Sequence, residues 1–177
     1  MQGSLQYSIY KGTGGNHGAL QLNFQKPHFY NQKQKDFTGD IALEIKDGKK
    51  TLKPGWKERE GAIFLEITST KEKNIYDWEN KIVMALSVDD MGKVLYTLLT
   101  GEECKIIHDP GAKSSSAGEV NKLLSIISPQ GVKAGCIVTA TQTTNGNKVT
   151  HKVPVTASEV IILRSLLNSA VSRALNW

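Results

Sequence analysis

Two capping boxes, Ser87 with Asp90 and Thr156 with Glu159, each open a helical apolar repeat, and each repeat comes only after a series of runs that alternate with period two. Strands then helix, twice, is the plan this order predicts. The first group of runs sets Leu20, Leu22 and Phe24 against Gln21 and Asn23. It continues with Ile41, Leu43 and Ile45 against Ala42, Glu44 and Lys46, then Ile63, Leu65 and Ile67 against Phe64, Glu66 and Thr68, and ends at Ile82 to Leu86. A helix follows, with Val88, Met91, Val94, Leu95, Leu98 and Leu99 at helical spacing until Gly101 stops it. The second group places strands at Cys104 to His108, Leu123 to Ile127, Cys136 to Thr143 and Val149 to Val155. Pro110-Gly111, Pro129-Gln130-Gly131 and the hairpin signal Asn145-Gly146-Asn147 separate them. The second helix runs from Thr156 to about Leu175.

Because the helices do not alternate with the strands, the fold class expected is α+β with antiparallel sheets, four strands in each half and each half ending in a helix. The chain of 177 residues reads as one domain, 1–177, built from two structural pseudo-repeats at about 1–101 and 102–177. Gln25 to Gly39 and Asp47 to Gly61 are polar and basic and read as loops. In the last helix Val160, Ile161, Ile162, Leu163, Leu166, Leu167, Ala170, Val171, Ala174 and Leu175 cover more of the circumference than one buried face requires, so its second side is a candidate subunit interface.

Charge and cysteine usage narrow the function classes. A formal net charge of +5 favours polyanionic partners. Cys104 and Cys136 lie inside apolar runs without C-x-x-C spacing, which reads as buried free thiols in a reducing compartment. His17, His28, His108 and His151 have no ligand spacing, so no metal is expected and no cofactor is called for. No apolar segment approaches the roughly 18 residues that span a bilayer, and no membrane association is expected. The N-terminus has neither a signal-peptide core nor an Arg-rich transit segment. The expected location is therefore cytoplasmic or nucleoid-associated, or organellar if a targeting segment has been removed.

Three motifs in order resemble the Whirly family of single-stranded-DNA-binding proteins. Tyr76-Asp77-Trp78-Glu79-Asn80-Lys81 followed by Met84-Ala85-Leu86-Ser87 is similar to its YDWE-x-K…ALS segment. His108-Asp109-Pro110, Lys113-Ser114-Ser115, Ala117-Gly118, Val120, Lys122 and Leu124 follow its HDP…KSS…AG-x-V-x-K-x-L pattern, and Val153-Pro154-Val155-Thr156 resembles its VPVT lead-in to the last helix. Tyr10-Lys11-Gly12 and Gly18-Ala19-Leu20 match the two ends of the family's KGKAAL motif, which supports higher assembly in plant members; here Thr13 to His17 intervene. The resemblance implies two antiparallel four-stranded sheets packed face to face at an angle, four protomers joined through the helices, and binding of single strands with little sequence preference. Kinetoplastid guide-RNA-binding proteins share the fold, which keeps RNA open as the ligand.

Binding of a single strand without base preference needs cations along the phosphates and flat surfaces for stacking. Lys11, Lys81, Lys113 and Lys122 occupy the resembling motifs and are the phosphate candidates, with Ser114 and Ser115 as hydroxyl donors. Phe29, Tyr30, Tyr76 and Trp78 are the stacking candidates, with Trp56 beside them. Phe29 and Tyr30 rank above Trp78 because they fall in a Lys- and Gln-rich segment without strand alternation. An enzyme is the least supported class: the Lys11-to-Gly18 segment lacks the P-loop lysine and hydroxyl, and His108-Asp109 has no accompanying nucleophile motif. Asp109-Pro110-Gly111 reads as turn chemistry, a corner shaped for a backbone. Single-stranded DNA binding by an oligomer, supporting replication, recombination or repair, is the leading expectation. An RNA-binding or annealing factor and a transcription-regulating scaffold are the alternatives.

Overall fold

The structure is a computed structural model, and it describes residues 6–12, 18–31, 42–109 and 119–175. The first sheet is built on β2 (Gly18–Gln25) and the long β7 (Ala62–Glu72), paired antiparallel from Gly18 opposite Ser69 to Gln25 opposite Ala62. An edge strand β1 (Gln6–Lys11) pairs with β2. The far side of β7 carries both β9 (Ile82–Leu86) and the short β8 (Ile75–Tyr76), so this sheet has five strands where the sequence predicts four. The reason is the length of β7: its 11 residues leave an edge beyond the β9 pairing for β8 to occupy.

The second sheet is an antiparallel meander of β10 (Cys104–His108), β11 (Val120–Ile127), β12 (Cys136–Thr144) and β13 (Asn147–Val155). Asn145 and Gly146, at φ of 48° and 81°, form the β12–β13 turn, the two positive φ values that a tight hairpin of this hand requires. Helix α1 (Val88–Thr100) follows the first sheet and α2 (Ala157–Ala174) the second. Both capping boxes form as their spacing predicts, and Gly101 ends α1 in the left-handed region at φ 83°.

Alternation along the strands puts Ile9, Leu20, Leu22, Ile63, Leu65 and Ile67 on one face. They form a single core with Leu124, Ile126, Val138, Val153 and Val155 of the second sheet and with Met91, Val94 and Leu98 of α1. From α2 only Val160, Leu163, Leu167, Ala170 and Ala174 are buried, one stripe of the helix. Cys104 and Cys136 are buried free thiols, and burial pushes the Cys136 thiol up to about 11.

Where they are described, the two segments read as loops contain strands, and residues 32–39 of the first lie outside the described residues. β3 (His28–Asn31) pairs with β6 (Trp56–Arg59), and β4 (Leu43–Lys46) pairs with β5 (Lys49–Leu52), all between β2 and β7. The β3–β6 pairing keeps the register of β2–β7: Gln25 faces Ala62 and, beyond Lys26 and Pro27, His28 faces Arg59. The insertion is therefore an outward continuation of the central hairpin. The Ile41–Ile45 run, expected as a core strand, is corrected too: its described part is the exposed β4, with Ile45 77% exposed, and Ile41 lies outside the described residues. At the root of this arm Gly61 donates its N–H to Ala174 O at 3.1 Å, and a Cβ on Gly61 would stand 2.9 Å from the Ala174 Cα. Only glycine allows the end of α2 to approach so closely.

Candidate nucleic-acid interface

Burial of Ile9 turns its neighbour Tyr10 to the opposite face of the edge strand, where it is 54% exposed. The turn at Lys73 and Asn74, the latter at φ 63°, brings β8 back along β7 and sets Tyr76 beside Tyr10, ring centroids 5.1 Å apart. Trp78 opens a single 3-10 turn and meets Tyr10 edge-to-face at 6.4 Å. Three rings from two distant stretches of chain thus gather at one sheet edge.

The turn that carries Trp78 is held from both sheets. From β7, Ser69 O accepts the Asp77 N–H at 2.9 Å and the Thr68 hydroxyl donates to Asp77 O at 2.6 Å. From β13, the buried His151 donates through Nε2 to Asn80 O at 2.9 Å, since a carbonyl can only accept; its Nδ1 lies 2.8 Å from the Ser69 hydroxyl. The Asn80 amide donates to Asp77 at 2.8 Å, and together with Lys71 it holds the Asp77 carboxyl below its ordinary value. A ring fixed in this way loses little freedom when a base stacks on it.

The candidate cations stand differently. Lys11 places Nζ 2.8 and 2.7 Å from the two carboxylate oxygens of Glu159, tying the edge strand to the capping box of α2. Burial alone would raise the Glu159 pKa, but Lys11 and the Thr156 backbone and hydroxyl outweigh it and hold the group low. Lys81 pairs with Glu66 at 2.6 Å. Lys122 of β11 donates to Val83 O of β9 at 2.8 Å, a stitch between the two sheets, and burial lowers its pKa. Lys113, Ser114 and Ser115 lie outside the described residues.

Phe29 and Tyr30 are in a strand, β3, and stand on the arm apart from the three-ring cluster. Their ranking above Trp78 rested on a loop that is not there. Both are half-buried: the Arg59 guanidinium sits 4.4 Å from the Tyr30 ring centroid, and Phe29 lines a cleft of about 460 Å³ with Phe24, Pro27 and Arg173 at the arm root. Tyr10 is the member of the ring cluster that the sequence reading left out. Its signal was present in the alternation, an aromatic residue on the non-core side of a strand.

Two sheets that pack through one core and a ring cluster at a strand edge define an α+β scaffold that carries flat aromatic surface at its rim. Residues 9–166 match the family model of the Whirly transcription factor, so the chain belongs to the Whirly family. It is 29% identical over 174 residues to the chloroplastic single-stranded DNA-binding protein WHY3 of Arabidopsis thaliana, covering 97% of this chain and 56% of that one; the chain thus spans about half the length of that relative. Among solved structures, that of the plant transcriptional regulator PBF-2 superposes with a TM-score of 0.75 at 25% identity, over 100% of this chain and 85% of that one. A guide-RNA-binding protein complex bound to its RNA shares the fold, with a TM-score of 0.56 at 9% identity over 99% of this chain and 95% of that one.

Proposed function

We propose that this chain binds single-stranded DNA with little base preference, as a non-enzymatic homo-oligomer that supports DNA replication, recombination or repair. The observation that carries the reading is the Tyr10–Tyr76–Trp78 cluster at the sheet edge, with Tyr10 exposed, Tyr76 and Trp78 half-buried, and the turn bearing Trp78 held by hydrogen bonds from both sheets. Every base has a flat face, so stacking on such rings favours unpaired strands without reading their sequence. Membership of the family and the single-stranded DNA binding named for its relative support the same ligand.

The residues proposed to contact the strand are Tyr10, Tyr76 and Trp78, with Phe29 and Tyr30 on the arm and Lys113, Ser114 and Ser115, which follow β10 in sequence. Lys11, Lys81 and Lys122 support the site from within, each already engaged by a carboxylate or a carbonyl. Assembly, proposed as a tetramer, goes through the helices. Ile161, Ile162 and Leu166 of α2 are 66%, 41% and 38% exposed, and Tyr96 and Leu99 of α1 are both 53% exposed. Gly92 adds to this: mid-helix glycine costs about 1 kcal/mol against alanine, and apart from its chain neighbours and the adjacent helix backbone no described heavy atom lies within 4 Å of where its Cβ would stand. A neighbouring protomer packed against that face would account for it. The domain is taken as 1–177, one binding unit, and an organellar compartment follows the relative's.

RNA is the second reading, favoured by the fold shared with the guide-RNA-binding complex. Competition of oligo-U against labelled oligo-dT separates the two: DNA binding predicts that oligo-dT wins, whereas preference for oligo-U requires recognition of the 2′-hydroxyl and would transfer the assignment to RNA.

A further inference from the structure

The lysines that pair internally all lie in the two-sheet body: Lys11, Lys71, Lys81, Lys93 and Lys105 are each within 4.0 Å of a carboxylate and Lys122 bonds a carbonyl, while Lys73, Lys133, Lys148 and Lys152 of the body have no carboxylate partner among the described residues. On the arm, Lys46, Lys49, Lys50, Lys53 and Lys57 have no carboxylate partner among the described residues, and all but Lys53 are exposed. Lys46 faces Lys49 directly across the Asp47–Gly48 turn. Like charges opposed in this way weaken a hairpin, and a two-stranded hairpin is marginal by itself in water.

The arm is nevertheless built to project. Its register runs on from the central hairpin, from Gly18 opposite Ser69 out to Asn31 opposite Trp56. The tip is closed by a turn with φ of 51° at Asp47 and 73° at Gly48, and by the Lys53 N–H on Ala42 O at 2.9 Å. Lys57 thus lies on the ribbon that continues the register of the central hairpin, and Lys46, Lys49 and Lys50 lie on the separate two-stranded β4–β5 hairpin inserted beyond it. A polyanion laid along the arm would relieve the repulsion and break no internal pair, whereas a phosphate approaching Lys11 or Lys81 competes with Glu159 or Glu66.

We propose that the arm grips the phosphodiester backbone of the bound single strand and supplies most of the salt-dependent part of its affinity, while the Tyr10–Tyr76–Trp78 rings supply the stacking part. This rests on the reading that the chain binds single strands.

The test uses the full chain and labelled oligo-dT titrated over a range of salt concentrations. The slope of log K against log salt falls by roughly 0.7 for each phosphate contact removed from a single strand. Changing Lys46, Lys49, Lys50, Lys53 and Lys57 together to Gln is expected to flatten the slope by about 2 or more and to weaken binding at low salt at least about 10-fold. The matching five-fold change to Arg keeps the charge and is expected to keep the slope. Trp78→Ala lowers affinity with the slope unchanged. If the Gln variant keeps the wild-type slope and affinity, or if the Arg variant loses the slope as well, the arm does not grip phosphates and the proposal fails while single-strand binding stands. If the wild-type chain itself ignores oligo-dT, the proposed function fails first.

Discussion

Trp78 presents its ring at the sheet edge because the turn beneath it is hydrogen-bonded to Ser69, Thr68 and His151, and among the described ring contacts it meets Tyr10, which in turn meets Tyr76. Replacing Trp78 or Tyr10 by Ala is expected to weaken oligo-dT binding by about 1 to 3 kcal/mol, roughly 5- to 150-fold, read by fluorescence anisotropy. His151→Ala removes the donor to Asn80 O and empties a buried site, so it is expected to lower stability by about 2 to 3 kcal/mol in urea. Asp90 gives a pH dependence whose sign follows from its surroundings. Burial would raise its pKa, but the Ser87 hydroxyl and N–H, together with His108 Nε2 at 3.1 Å, hold it below the ordinary 3.8. Its unfolded state therefore binds the proton more readily, and its contribution is complete above the ordinary value and is lost as pH falls through the lower folded one. Urea midpoints should decline less steeply with acid in Asp90→Asn than in the wild type over that range. Among single residues the sequence exposed what is local: YDWE marked Trp78 and Tyr76. It concealed Tyr10 as a partner because the contact joins β1 to residues more than sixty positions away.

At the scale of elements, both helix starts were legible because a capping box is complete within four residues, and the core strands were legible because burial of one face writes a period of two. Thr156→Ala is expected to cost about 1 kcal/mol, and more than Ser87→Ala in oligo-dT affinity, since Thr156 also orients the Glu159 that holds Lys11. The arm left no such trace. Lys49–Leu52 and Trp56–Arg59 bury almost nothing, so no face needs to be apolar, and their pairing comes from the register of β2–β7 and from a tight turn. Segments of this kind read as loops because the force that sets their conformation lies outside them. The same reason moved Phe29 and Tyr30 from a presumed loop to a strand whose side chains are half-covered by Arg59 and by the arm root.

For the whole molecule, the order of strands and helices was enough to reach two antiparallel sheets on one core, while the fifth strand of the first sheet depended on how far β7 outruns β9. The apolar side of α2 was visible in composition alone, and the structure divides it into a buried stripe and an exposed one at Ile161, Ile162 and Leu166. Light scattering is expected to give a mass of several protomers, and Ile161→Lys with Leu166→Lys to give a monomer that keeps its thermal transition; an unchanged mass would remove this face from the interface. The reading of the chain as a single-strand binder meets its most direct test in one titration, labelled oligo-dT against the matching duplex at several salt concentrations. The expected result is at least about 100-fold preference for the unpaired strand with affinity falling as salt rises. Equal affinity for the two forms would contradict it.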